Sequence, residues 1–253
     1  MSPIAISTIV FVCIFGGAML GMLLRSGLPE SHFSSDSKDV IKLAMGVLGT
    51  MAALVLALLI NSAKGSFDTQ SGEVTRMAAD FISLDRVLAH YGPETSEARG
   101  LLRVTVTQGM IEIWPQHRYR SASLDSNGAR ASANRFFEKI QQFKPQGDYQ
   151  RSLHAQAIQI CGELVGLRSM LLEQTHGSIP MPFMVVLIFW LTVIFGGFGL
   201  FAPSNPTVVS FLLLSSLSIA GAIFLILELD RPFQGLLQIS DQPLRNAMVY
   251  LGK

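Results

Sequence analysis

The chain has 253 residues, 49% of them apolar and only 15% charged, against about 25% charged for an ordinary water-soluble domain, so part of it belongs in lipid. Its 19 lysines and arginines almost balance 18 aspartates and glutamates. The net charge of +1 excludes the strongly basic field that recruits nucleic acid or makes a polybasic membrane-surface protein.

Crossing a bilayer core as a helix takes about 20 predominantly apolar residues, because each residue rises about 1.5 Å and the backbone must satisfy its own hydrogen bonds there. Ile4 to Leu24 carries no charge and stops at Arg25. A signal peptide also opens on an apolar run, but this one lacks a basic start and is longer than the usual apolar core, so it is predicted to stay as a span. Val40 to Ala63 contains one charge, Lys42, near enough to the end to snorkel to the headgroups. Met181 to Ala202 and Pro206 to Leu227 are uncharged, and Glu228, Asp230 and Arg231 close the last run. Pro203-Ser204-Asn205 is short enough to force an antiparallel hairpin. The prediction is an all-α membrane protein with four transmembrane helices in two hairpins, residues 1–63 and 181–228. They flank a helical domain, 64–180, and leave a short tail, 229–253. An even number of spans puts both termini and the central domain on one side. Lys64, Arg76, Arg168, Arg231 and Arg245 lie on that side, against Arg25, Lys38 and Lys42 on the other. The excess predicts that the termini and central domain lie in the cytoplasm.

After the second span, Val74, Met77, Phe81, Leu84, Leu88 and Tyr91 recur at three- and four-residue steps, one apolar face of a helix that continues the span. Gly92-Pro93 breaks it. The next helix carries Leu101, Leu102, Thr105, Met110 and Ile113 and ends at Trp114-Pro115. His117 to Asn127 reads as a polar connection. Phe136, Ile140 and Phe143 mark a third helix. A fourth starts near Asp148 and repeats at Leu153, Ala157, Cys161, Leu164, Arg168 and Leu171, before Gly177 and Pro180 return the chain to the membrane. Stalk helices of this kind are expected to enclose little core of their own, which predicts self-association.

Catalytic signatures are thin. His32, His90, His117, His154 and His176 have no paired metal-ligand spacing, and Cys13 and Cys161 imply neither a disulfide framework nor a metal motif. No phosphate-binding glycine loop, nucleophile elbow or mid-span ionisable residue is present. No enzyme, cofactor or metal is expected. The second span instead carries small residues, Gly49, Ala53, Ala57 and then Asn61 at four-residue spacing, with Gly46 and Thr50 beside them. Small faces let helices approach closely in lipid, so close helix contact is the plain reading. The sharper one is the wall of a narrow apolar pore with Asn61 at one mouth and Lys42 near the other, since hydrophobic constrictions can gate by dewetting. Gly17 and Gly21 form a GxxxG pair that predicts helix contact. Glu228, Asp230 and Arg231 read as a structural charge cluster, and Phe233 after Pro232 is expected at the membrane interface.

Six ordered segments resemble a bacterial membrane family described as bestrophin-like. They are Leu28-Pro29-Glu30-Ser31-His32, Asp36-Ser37-Lys38-Asp39-Val40, Lys64-Gly65-Ser66-Phe67-Asp68-Thr69-Gln70, Tyr91-Gly92-Pro93-Glu94-Thr95, Ile113-Trp114-Pro115 and Glu228-Leu229-Asp230-Arg231-Pro232-Phe233. The resemblance to bestrophins implies a homopentameric anion channel whose second span lines the pore, with the lipid bilayer, copies of itself and small ions as partners. The sequence departs from the bestrophin pattern twice. Gln234-Gly235-Leu236-Leu237 stands where an acidic calcium clasp is expected, and Leu54 and Leu58 with the small stripe stand where aromatic neck residues are expected. A non-conducting membrane scaffold or sensor, binding a partner through its cytoplasmic helices, is the competing expectation.

Overall fold

A computed structural model describes residues 2–27, 35–114, 126–173 and 179–252. The Leu28 to His32 motif, His117, His176 and most of the polar connection after Trp114 lie outside them. In chain order the helices are α1 (Pro3–Gly27), α2 (Ser35–Tyr91), α3 (Ser96–Ile113), α4 (Ser126–Gln141), α5 (Asp148–Glu173), α6 (Met181–Phe201), α7 (Pro206–Leu229) and α8 (Gln242–Tyr250), with a 3₁₀ turn at Pro93–Thr95. No strand occurs among the described residues. Four of the helices, α1, α2, α6 and α7, are long and apolar enough to cross a membrane. Two compact units divide the chain: residues 1–66 with 178–230, and residues 67–177 with 231–253. The α2 helix contributes to both, because its 57 residues run without a break from the second apolar segment into the amphipathic one. At about 1.5 Å per residue it is roughly 85 Å long.

In the first unit the close helix pairs include α1 with α6 and α1 with α7. The GxxxG pair of α1 meets the glycines of α6 there. A Cβ on Gly21 would strike the carbonyl oxygen of Gly196, one on Gly199 would strike that of Ala18, and one on Gly17 would lie 2.9 Å from Thr192 Cγ2. Removing the side chains brings the backbones together and multiplies short-range dispersion contacts, the main source of helix association where the surroundings are already apolar. Val10, Ile14 and Ala18 continue the same buried face. Arg25, just past the uncharged run, donates from Nη1 to the carbonyl oxygen of Ala202, next to the C-terminus of α6, where cations are favoured by the helix dipole.

The second unit has a core of its own, which corrects the expectation of stalks with little enclosed surface. The face predicted from periodicity is buried: Val74, Met77, Leu84, Leu88 and Tyr91 of α2 are all inside. They join Leu102 and Val106 of α3, Phe136 and Ile140 of α4, Ala157, Cys161 and Leu164 of α5, and Leu244 and Ala247 of α8. Gly92 takes φ 144°, the left-handed region open to glycine, and this turns the chain so that the Thr95 hydroxyl donates to Leu88 O at 2.6 Å. Phe233 also corrects its expectation. It is buried in this core, edge-on to Trp114 with ring centroids 5.5 Å apart. The Trp114 indole N–H donates to Ile239 O at 2.8 Å, stitching the segment after α7 to the end of α3. Residues 242–250, given no helix in the sequence reading, form α8.

Candidate functional site

Three faces of α2 can be separated at about 100° per residue. One packs on the chain itself: Met45, Ala52, Leu59 and Ala63 are buried, and Leu48, Val55 and Leu56 are partly so. Met45 sits over Gly197 of α6. A second face, roughly opposite, carries the large side chains Leu43, Val47, Leu54 and Leu58, all exposed. Between them runs the small stripe. Gly46, Thr50, Ala53, Ala57 and Asn61 are exposed and Gly49 is half-buried. A Cβ on Gly46 or Gly49 would meet no atom within 4 Å. Thr50 turns its hydroxyl back to Gly46 O at 2.8 Å, so the helix satisfies its own polar group on this face. Of the four span candidates α2 is the least covered, with 17% of its most apolar window buried against 22 to 28% for the others. Among the described residues the stripe is thus mostly uncovered by the chain.

The charge cluster is split between positions. Glu228 is buried in the last turn of α7, and Asp230 follows the helix end with its N–H donated to Ile226 O at 3.1 Å. Arg231 is exposed. All three side chains belong to residues with further polar or electrostatic interactions. Among the described residues no group of three or more His, Cys, Asp and Glu is placed to hold a metal ion.

Two ion pairs in the second unit escaped the sequence reading. Arg99 holds Asp85 bidentately, Nε to Oδ1 and Nη2 to Oδ2 both at 2.8 Å, and the N–H of Gly252 adds to the same carboxylate. This hydrogen-bonded carboxylate raises the Arg99 pKa above its usual value, against an opposing effect of burial. Arg168, counted in the sequence among the repeat positions of α5, pairs with Glu112 of α3 at 2.6 Å. The signal was present, since Arg99, Glu112 and Arg168 interrupt otherwise apolar helix faces, but periodicity does not pair one helix with another.

An all-helical chain with four span-length apolar helices and a long helix bearing an uncovered small face defines an integral membrane protein. The family model described as "Bestrophin-like domain" matches residues 12–244, and the chain belongs to the bestrophin-like family. The fold agrees with solved structures of point variants of a bacterial bestrophin homologue from Klebsiella pneumoniae. One is 11% identical with a TM-score of 0.69, covering 97% of this chain and 98% of that one. A second is 13% identical with a TM-score of 0.67, covering 94% and 97%. No curated protein matches the sequence.

Proposed function

We propose that this chain is the subunit of a homo-oligomeric channel for small anions in the bacterial cell membrane, with the small stripe of α2 facing the assembly axis. The observation that carries the reading is the uncovered stripe. Gly46, Thr50, Ala53, Ala57 and Asn61 lie apart from the face that packs on the chain and from the face of large apolar side chains suited to lipid. A small, weakly polar face on an otherwise apolar span is wasted on acyl chains, whereas around an axis it leaves room for a pore or a close subunit contact. Membership of the bestrophin-like family supports the same reading, with a pentamer as the assembly it favours. In this arrangement α1 and α2, and α6 and α7, run antiparallel, and the termini lie in the cytoplasm with the second unit.

The stripe, and not a metal or a catalytic group, is the working surface. Proteoliposomes loaded with chloride should release it down a gradient, and Ala53→Leu should abolish the flux or dissociate the oligomer, because added bulk on a close-packed face costs about 1 to 3 kcal/mol. Leu54→Ala, on the large-residue face, should leave both intact. Unchanged flux and an unchanged oligomer in Ala53→Leu would remove the stripe from the axis. Exposed Ile158, Val165 and Met170 on α5 favour the second reading, a scaffold that binds a protein through this helix. That reading predicts a tight oligomer with no flux.

A further inference from the structure

The second unit carries a partly open apolar cavity of ≈ 190 Å³. Its walls come from five helices, among them Phe81 of α2, Val106 of α3, Phe137 of α4, Leu164 of α5 and Leu244 of α8. Protein interiors normally leave few voids larger than a water molecule, and side chains lining an empty one lose dispersion contacts on that side. The cavity is thus a place where an apolar group gains what the fold itself leaves unused. No aspartate or glutamate lines it, but two arginines do. Arg168 is already neutralised, with Nε and Nη2 both donating to Glu112 Oε2. Arg130 is exposed and makes no hydrogen bond or ion pair among the described residues. Among the described residues, the local chemistry is therefore a largely apolar chamber with one guanidinium that makes no ion pair.

We propose that this cavity binds a small amphipathic anion, a monocarboxylate with a hydrocarbon chain of about six carbons, its tail in the chamber and its carboxylate on Arg130. The size follows from volume: a dry apolar cavity of about 150 Å³ accommodates benzene, so this one takes a chain slightly longer. The head group follows from charge. A guanidinium recognises a carboxylate through parallel hydrogen bonds, which a neutral ligand of the same shape cannot match in strength. The proposal concerns binding alone and stands whether or not the oligomer conducts.

Gly109 supplies the decisive variant. It lines the cavity, and a Cβ there would meet no atom within 4 Å, so Gly109→Leu fills the chamber, while removing a mid-helix glycine favours α3. The test is calorimetric titration of the protein in nanodiscs with hexanoate and with hexanamide, its uncharged isostere, using empty nanodiscs to subtract partition into lipid. Hexanoate should bind saturably, one per chain, and at least tenfold more tightly than hexanamide. Arg130→Gln should erase that preference while hexanamide still binds. Gly109→Leu should bind neither, with its melting temperature at or above that of the parent. Absence of saturable hexanoate binding, or equal binding by Gly109→Leu, would overturn the site. Hexanamide binding as tightly as hexanoate would overturn the anionic ligand.

Discussion

Asp80 is held in a state that works against its own charge. Its Oδ2 is buried without a hydrogen-bond partner, and the nearest cation, Arg76 Nε, is 4.0 Å away. Burial raises its pKa, Arg76 lowers it, and the neighbouring Glu163 raises it again. A carboxyl whose folded pKa is raised contributes stability that is fully present below the unfolded value and is lost as pH rises through the folded value. The cost therefore appears as pH rises above the unfolded value. Asp80→Asn, which mimics the protonated acid, should stabilise the protein at pH 7 by about 1 kcal/mol, a rise of about 2 to 4 °C in melting temperature, and the gain should vanish near pH 4. A lower melting temperature at pH 7 would mean that the Arg76 contact outweighs burial. Cys161 shows the same effect on a thiol, pushed up by burial to about 12. The buried thiol stays protonated at pH 8, so maleimide should modify Cys161 far more slowly in the folded protein than after denaturation. For the cluster after α7 we propose a structural role. Arg231→Ala should lower the thermal stability of the oligomer, Asp230→Asn should do so less, and calcium should affect neither. Saturable micromolar calcium binding lost in Asp230→Asn would replace a structural pin with a metal site.

Among the elements, α1 and α6 form the contact least tolerant of change. Gly21 and Gly196 approach backbone to backbone, so no rotamer of a larger side chain relieves the clash. Gly21→Leu should cost about 1 to 3 kcal/mol by overpacking and reduce the yield of folded protein, while Gly16→Leu, where a Cβ meets nothing, should be neutral. The sequence announced this contact through its GxxxG spacing but not its partner, because four-residue spacing describes one helix surface and says nothing of which helix meets it. The same limit explains the rest. The periods of α2, α3 and α5 were legible because each repeats an apolar face over several turns. In α8 only Leu244, Ala247 and the following Leu251 face inward, too short a run to stand out. Phe233 reads from sequence as an interfacial anchor, and only the position of Trp114 shows that it has a protein partner. The small stripe was legible residue by residue. Its exposure was not, because that depends on Met45, Ala52 and Leu59 turning another side of α2 into the chain.

For the whole molecule, the continuous α2 helix is the central feature, since it carries the candidate pore face in one unit and contributes to the core of the other. The proposed orientation rests on the basic residues flanking the second unit. In intact cells a membrane-impermeant thiol reagent should modify Asn205→Cys, between α6 and α7, and spare Lys144→Cys, between α4 and α5. The reverse pattern would invert the topology. The most direct test of the account is to place single cysteines at Thr50, Ala53, Leu54, Ala57, Leu58 and Asn61 and measure chloride flux through proteoliposomes before and after treatment with a water-soluble methanethiosulfonate. Positions 50, 53, 57 and 61 should lose most of their flux on modification, while 54 and 58 should keep it. Block at 54 and 58 instead, or no chloride flux from the unmodified oligomer, would contradict a pore lined by the small face of α2.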